Sequence, residues 1–125
     1  MKTVATTKAP GAIGPYSQAQ IAGGFVFTSG QLGLDSTSGD FAGPDVESQA
    51  RASLNNVKAI LESAGSSMDK VVKTTVFIKN MADFGKVNAI YSEFFKEGCY
   101  PARSCVEVAA LPKGGLVEIE VVAEL

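Results

Sequence analysis

The stretch Pro101–Glu120, PARSCVEVAALPKGGLVEIE, predicts two short strands joined by a turn at Pro112–Gly115. Successive side chains of a strand point to opposite faces of the sheet, so each strand here presents one charged face. These faces consist of Arg103, Cys105 and Glu107 in the first strand, and of Glu118, Glu120, Val122 and Glu124 in the second. Because the two strands are expected to be neighbours, we predict a polar site that combines Arg103 with Glu118. Arginine can bind a carboxylate through two parallel hydrogen bonds, and glutamate can hold and polarise a water molecule.

Turn residues and apolar periodicity predict the remaining elements. In chain order they are a strand at Thr3–Thr7, a hairpin of Ser17–Ile21 and Phe25–Thr28 across Gly23–Gly24, a polar loop at Leu34–Gly43, a helix at Asp45–Ala64 and a strand at Val71–Lys79. A second helix is capped by Asn80 or Asp83 and ends at Gly98. Its core-facing residues are expected to be Phe84, Val87, Tyr91 and Phe94 or Phe95.

The predicted order β-β-β-α-β-α-β-β indicates a single α+β domain over residues 1–125. Two amphipathic helices can cover only one face of the sheet. The strand Val71–Lys79 carries apolar residues on both faces, which suggests that the second face packs against partner subunits.

Composition excludes several kinds of chemistry. The chain contains no histidine and two cysteines, so catalytic triads that use histidine and structural zinc sites are excluded, and we predict no metal site. The net charge is −2 and the sequence has no basic cluster, so it does not predict a nucleic-acid-binding surface. No apolar run is long enough to span a bilayer and the N-terminus lacks the apolar segment of a signal peptide, so we expect a cytoplasmic protein with reduced cysteines.

Several motifs resemble one known family. They are IGPYSQA at Ile13–Ala19, FTSGQ at Phe27–Gln31, VKTTVFIK at Val72–Lys79, VNAIYSEFF at Val87–Phe95, and the block PARSCVEV followed by AAL and VEI within Pro101–Glu120. Together they resemble the reactive intermediate deaminase family (RidA, also called YjgF), and they do so in order along nearly the whole chain.

The resemblance implies a chorismate-mutase-like α+β fold with a mixed sheet, and a homotrimer with ligand sites in the clefts between subunits. It also implies an enzyme that hydrolyses 2-iminobutanoate and 2-iminopropanoate to 2-keto acids and ammonia, without a cofactor, and so protects pyridoxal-phosphate enzymes. By the same resemblance, Arg103 grips the substrate carboxylate, and Glu118 orients the attacking water. The other implied substrate-binding residues are Tyr16, Ser29, Gly30, Asn88 and Cys105.

Each of these residues also has an ordinary structural interpretation on residue type alone. Arg103 could reach solvent or pair with Glu118 or Glu120, and Cys105 could be a small buried hydrophobic residue. Glu118 and Asn88 could be solvated, Tyr16 could be a half-buried aromatic residue, and Ser29–Gly30 could be a simple turn. Two other functions are alternatives: an endoribonuclease or translation inhibitor, and a non-catalytic small-ligand-binding regulatory trimer.

Overall fold

The computed structural model describes all 125 residues, which form one seven-stranded sheet and two α-helices. The elements are β1 (Lys2–Val4), β2 (Ala19–Ala22), β3 (Phe25–Thr28), β4 (Gln31–Leu32), α1 (Val46–Ser63), β5 (Val71–Ile78), α2 (Phe84–Tyr91), β6 (Ala102–Glu107) and β7 (Val117–Glu124). Short 3-10 helices at Met68–Lys70, Met81–Asp83 and Pro112–Gly114 precede β5, α2 and β7.

The long helix α1 forms because its sequence supplies both a cap and an apolar stripe. The Asp45 side chain accepts a hydrogen bond of 2.7 Å from the backbone N–H of Ser48, which satisfies one free donor of the first turn. The buried apolar residues of the stripe are Val46, Ala50, Leu54, Val57, Ile60 and Leu61. The helix predicted over Asp45–Ala64 is therefore confirmed to within one residue at each end. Neither α-helix combines the length and apolar character that crossing a membrane would require.

The strand order across the sheet is β1-β2-β3-β7-β5-β6, and β4 also pairs with β7. Only β5 and β6 run parallel, so the sheet is mixed. Strands β3 and β4 pair in succession with β7, and Ser29 and Gly30 lie between them and belong to neither strand. The two-residue strand β4 was missed by the sequence prediction, since two residues are too few to show alternation.

One face of the sheet is buried and the other is uncovered in the single chain. In β7 the residues Val117, Ile119, Val121 and Ala123 are buried against the helices, and they belong to a core of 21 residues. On the opposite face Phe25, Phe27 and Val106 are exposed. The prediction of an α+β fold with both helices on one face of a mixed sheet is confirmed.

Several predicted boundaries were wrong. The first strand covers Lys2–Val4 rather than Thr3–Thr7, and β2 begins at Ala19 rather than Ser17. The second helix ends at Tyr91, well before Gly98. Asn80 caps the preceding 3-10 turn through a 3.0 Å hydrogen bond from the Ala82 N–H, whereas Asp83 makes no side-chain cap.

Candidate active site

The site residues predicted from sequence fall into two separate clusters in the chain. The arginine cluster consists of Arg103, Asn88 and Cys105 with the aromatic residues Phe84 and Tyr91. The glutamate cluster consists of Glu118, Tyr16, Ser29 and Gly30. Arg103, Asn88 and Tyr91 line one open cavity, and all four residues of the glutamate cluster line another, whereas Cys105 and Phe84 line neither.

Arg103 is held by polar and aromatic contacts rather than by a carboxylate. Its Nη1 donates a 2.7 Å hydrogen bond to Oδ1 of Asn88 on α2. Its Cζ lies 4.7 Å from the ring centroid of Tyr91 and 5.5 Å from that of Phe84, within the range of cation–π attraction. The guanidinium borders a cavity of about 460 Å³, whose lining includes Asn88, Ser92 and Tyr100. A positive charge that is not neutralised within the chain therefore faces open space.

Cys105 follows Arg103 on the same face of β6 and is half-buried. Burial raises the pKa of its thiol, and the nearby Arg103 charge only partly opposes this effect. The thiol consequently stays protonated at neutral pH, which argues against a role for Cys105 as a thiolate nucleophile.

Both aromatic residues of the arginine cluster were predicted from sequence to be core. Tyr91 is indeed buried, and its hydroxyl shares a 2.8 Å hydrogen bond with Oγ1 of the buried Thr74. Phe84 is 37% exposed, so its prediction as a core residue was wrong. The reason is its position at the first residue of α2, where the ring lies beside the Arg103 head group instead of inside the core.

Glu118 lies on the uncovered face of β7, and its side chain packs against the backbone of Gly30. A Cβ added to Gly30 would lie 2.5 Å from Oε1 and 2.7 Å from Cδ of Glu118, so a larger residue at this position would force the carboxylate to shift. Partial burial of the side chain raises the pKa of Glu118, and the charge of Glu120 two residues along the strand raises it further. The carboxyl group is therefore a better proton acceptor than an exposed glutamate.

Tyr16 and Ser29 border the same cavity as Glu118, which has a volume of about 480 Å³. A tight turn places Tyr16, since its N–H donates a 2.8 Å hydrogen bond to the Gly14 carbonyl, and its ring is 51% exposed. The Ser29 hydroxyl donates a 2.6 Å hydrogen bond to the Ser17 carbonyl. With its proton engaged in this way, the Ser29 oxygen is left to act as an acceptor toward the cavity.

The prediction that Arg103 and Glu118 face each other on neighbouring strands was wrong. Strand β5 lies between β6 and β7, where Thr74 is opposite Arg103 and Phe77 is opposite Glu118. Thr74 points to the helix-covered face and Phe77 to the uncovered face, so the two charged side chains also lie on opposite faces. Within one chain the sheet itself separates the two clusters.

Sequence reasoning did not assign two residues that bear on the clusters. Thr74 was seen only as one residue of a strand, although its hydroxyl is the buried partner of Tyr91. Lys113 lines the cavity beside Glu118, and its backbone is strained because its φ of 59° lies in the left-handed region. A buried threonine in an otherwise aliphatic strand face is the signal that could have indicated a polar partner. No cluster of three or more histidine, cysteine, aspartate or glutamate side chains is arranged to hold a metal ion.

The chain is thus a small α+β protein with a candidate site for an anionic ligand, and comparisons with known proteins identify its relatives. Residues 6–125 match the family described as Endoribonuclease L-PSP. A 2-iminobutanoate/2-iminopropanoate deaminase from Salmonella typhimurium is 55% identical, covering 98% of this chain and 96% of the relative. A RutC family protein from Synechocystis is 53% identical, covering 100% and 97% of the two chains. The crystal structure of Escherichia coli TdcF with bound serine has a TM-score of 0.94 at 46% identity, covering 100% and 98%.

This chain belongs to the Endoribonuclease L-PSP family, which is the RidA (YjgF) family that its motifs resemble. The family membership predicted from the sequence is therefore confirmed. The names of the relatives differ, because the family includes proteins named as deaminases, RutC proteins and endoribonucleases.

Proposed function

We propose that this protein is a hydrolytic deaminase that converts 2-iminobutanoate and 2-iminopropanoate to the corresponding 2-keto acids and ammonia. The observation that carries the proposal is the Arg103 guanidinium, which borders an open cavity with no carboxylate to neutralise it. The name and close similarity of the Salmonella typhimurium relative support the same activity.

The proposed reaction needs a carboxylate anchor, a positioned water molecule and a proton carrier. Arg103 binds the substrate carboxylate with charge-assisted hydrogen bonds. Glu118, whose pKa is raised by burial, accepts a proton from water as its oxygen attacks the imine carbon. Glu118 then passes this proton to the nitrogen of the tetrahedral intermediate. As the C–N bond breaks, Glu118 takes up the proton of the intermediate's hydroxyl group, so that the carbonyl of the 2-keto acid forms and ammonia leaves. The imine carbon is already electrophilic, so positioning and electrostatics supply the catalysis.

The remaining predicted residues have supporting roles in this proposal. The Ser29 hydroxyl oxygen accepts a hydrogen bond from an N–H of the protonated imine, since its own proton is donated to the Ser17 carbonyl. Gly30 allows the close approach of Glu118, and Tyr16 covers the cavity edge. Asn88 orients Arg103, and the backbone N–H next to the neutral Cys105 thiol completes the substrate contacts.

A complete site requires more than one subunit in this mechanism. The sheet separates Arg103 from Glu118 in a single chain, so we propose that the arginine cluster of one subunit meets the glutamate cluster of the next in a homotrimer. The apolar residues Phe25, Phe27 and Val106 on the uncovered sheet face support burial of that face between subunits.

The experiment that tests the function generates 2-iminobutanoate in place with an amino-acid oxidase and follows its disappearance. Wild type should accelerate hydrolysis, and Arg103→Ala should lower kcat/KM by at least about tenfold, because it removes charge-assisted hydrogen bonds to the substrate. Arg51→Ala is the matched control, since Arg51 lies on α1 and pairs with Glu93 at the surface. A wild-type rate for Arg103→Ala would reject the proposed anchor, and no acceleration by wild type would reject the deaminase function.

A non-catalytic small-ligand binder is the second candidate, because the related TdcF structure contains bound serine. Such a protein would bind serine or a 2-keto acid in the same cavity and leave the rate of imine hydrolysis unchanged. Calorimetry with these ligands beside the hydrolysis assay separates the two candidates.

A further inference from the structure

The long Arg103 side chain lies on an edge strand and has no ion-pair partner to fix it. The two ion pairs of the chain are Arg51–Glu93 and Lys96–Asp69. Asn88 contacts only one nitrogen of the guanidinium, which leaves the plane of the group free to rotate about that contact. A second group is therefore needed to define its orientation.

The ring of Tyr91 provides a fixed surface against which the Arg103 guanidinium packs. Its ring is 6% exposed, lies 4.6 Å from the ring of Phe95 between centroids, and is tied through its hydroxyl to Thr74 at 2.8 Å. Thr74 is fully buried on the sheet face that also carries Val76 and Ile78. A buried hydroxyl without a partner is destabilising, so the Thr74–Tyr91 pair holds both groups in one arrangement.

We infer that Tyr91, fixed by its hydrogen bond to Thr74, is a positioning residue whose ring face holds the Arg103 guanidinium ready to receive a carboxylate. The inference rests on the proposed function, in which Arg103 binds the carboxylate of the substrate. It adds a role for a residue that the sequence indicated only as core.

The charge of the cluster explains why an aromatic ring suits this task. A carboxylate beside Arg103 would occupy its N–H donors and neutralise it, whereas a ring face contacts the guanidinium and leaves the remaining donors free. Burial raises the pKa of Tyr91, and this effect exceeds the opposing influences of Thr74 and Arg103. The phenol is therefore neutral at physiological pH, and the guanidinium keeps its full charge.

Phe84 is a weaker candidate for the same role. Its centroid is 5.5 Å from Cζ of Arg103, compared with 4.7 Å for Tyr91, and its ring is 37% exposed. It also has no hydroxyl with which to fix its orientation. Tyr91 is the ring that should determine the position of Arg103.

The test compares Tyr91→Leu, which removes the ring, with Tyr91→Phe, which keeps it. The first readout is the order of the Arg103 Nε–H group, measured by 15N relaxation without any ligand. The second is the affinity for 2-ketobutanoate, measured by calorimetry. Val26→Ala is the control for general loss of packing, because Val26 is fully buried on β3, which is separated from β6 by the two strands β7 and β5.

Tyr91→Leu is expected to lower the order of Arg103 and to weaken 2-ketobutanoate binding about tenfold, with a larger effect on KM than on kcat. Tyr91→Phe should stay within about threefold of wild type in affinity, since the ring face remains, and should lower the order of Arg103 by less than Tyr91→Leu does, since it removes only the hydrogen bond to Thr74. Val26→Ala should change neither readout. Wild-type order and affinity in Tyr91→Leu, or equal losses in Val26→Ala, would overturn the inference.

A second variant decides the question if Tyr91→Leu does not fold. Thr74→Val keeps the ring of Tyr91 but removes the partner of its hydroxyl, so the order of Arg103 should fall by a smaller amount. Unchanged Arg103 order in Thr74→Val would overturn the role given to the hydrogen bond. If wild type has no deaminase activity, the proposed function fails, whereas the ligand-free order measurement still decides the role of Tyr91.

Discussion

At the scale of single residues, the chain keeps two opposite charges free of partners that would neutralise them. Arg103 contacts an amide and two rings, and Glu118 packs on a glycine and shares its strand face with another carboxylate, Glu120. Both arrangements cost stability, since a half-buried charge without a counter-ion is less favourable than a paired one. This loss of stability is consistent with two groups whose charges interact with a bound ligand.

Glu118→Gln should slow catalysis and stabilise the fold. The pKa of Glu118 is raised in the folded chain, so its contribution to stability is present below its unfolded pKa and is lost as the pH rises through the folded pKa. Removing the charge should therefore raise Tm at pH 7, with a smaller gain near pH 4. The same change should lower kcat by about 100-fold or more, because it removes the base, while 2-ketobutanoate binding is retained.

Thermal unfolding at the two pH values and the imine hydrolysis assay check this prediction. Glu124→Gln is the control, since Glu124 is an exposed glutamate at the end of the same strand and should leave kcat unchanged. A lower Tm for Glu118→Gln at pH 7, or an unchanged kcat, would contradict the account of Glu118.

Gly30→Ala should impair catalysis by displacing the Glu118 carboxylate. The added methyl group would lie 2.5 Å from Oε1 of Glu118, so the side chain must move. We expect a drop in kcat of about tenfold or more, since small displacements of catalytic groups are costly. Gly85→Ala is the matched control because it has open space around its Cβ, and it should stabilise α2 by roughly 0.5–1 kcal/mol without loss of activity. Equal activity in the two variants would show that Glu118 does not need its observed position.

At the scale of elements, one buried glutamine attaches the segment before Tyr16 to the sheet. Gln18 is 4% exposed, and its Oε1 accepts a 2.7 Å hydrogen bond from the Thr6 N–H. Its Nε2 is within hydrogen-bonding distance of three carbonyl oxygens, those of Thr6, Ala9 and Pro10. The segment that leads to the cavity edge is therefore held by one side chain rather than by strand pairing.

Gln18→Met should release this segment while conserving side-chain volume. The loss of partners for buried backbone groups should lower the free energy of unfolding by roughly 1–3 kcal/mol and speed amide hydrogen exchange at Thr6. Urea unfolding and hydrogen exchange provide the measurements. Gln20→Met is the control, because Gln20 bonds to the side chains of Thr3 and Ser17 near the surface. If both variants lose the same stability, Gln18 has no special role.

The elements that were predicted correctly are those whose signals are local. Asp45, the apolar stripe and Gly65 together mark α1, and Gly23–Gly24 marks the turn of the β2–β3 hairpin. The position of β6 could not be predicted in this way, because the choice of β5 rather than β7 as its neighbour depends on how the whole sheet packs. The early end of α2 at Tyr91 had no glycine or proline signal either.

At the scale of the whole molecule, the sequence indicated the residues of the site better than their arrangement. Family motifs pointed to Arg103, Asn88, Glu118 and Ser29, and the structure places each beside a cavity. Alternation also grouped Glu118 with Glu120, Val122 and Glu124 on one face of the strand, and in the structure this is the uncovered face of β7. The separation of the two clusters could not be foreseen, because it follows from strand order, which is a property of the complete sheet.

The central claim is that one active site takes Arg103 from one subunit and Glu118 from the next. The most direct measurement is complementation between the two impaired variants, Arg103→Ala and Glu118→Gln, unfolded together and refolded as mixed oligomers. Random mixing should restore both groups in about a quarter of the sites, since each site draws independently on two subunits. Arg103→Ala refolded with the double variant Arg103→Ala/Glu118→Gln is the control, because no site in that mixture contains Arg103. Imine hydrolysis at about a quarter of the wild-type rate is the predicted result, and a rate no higher than that of the separate variants would contradict the shared site.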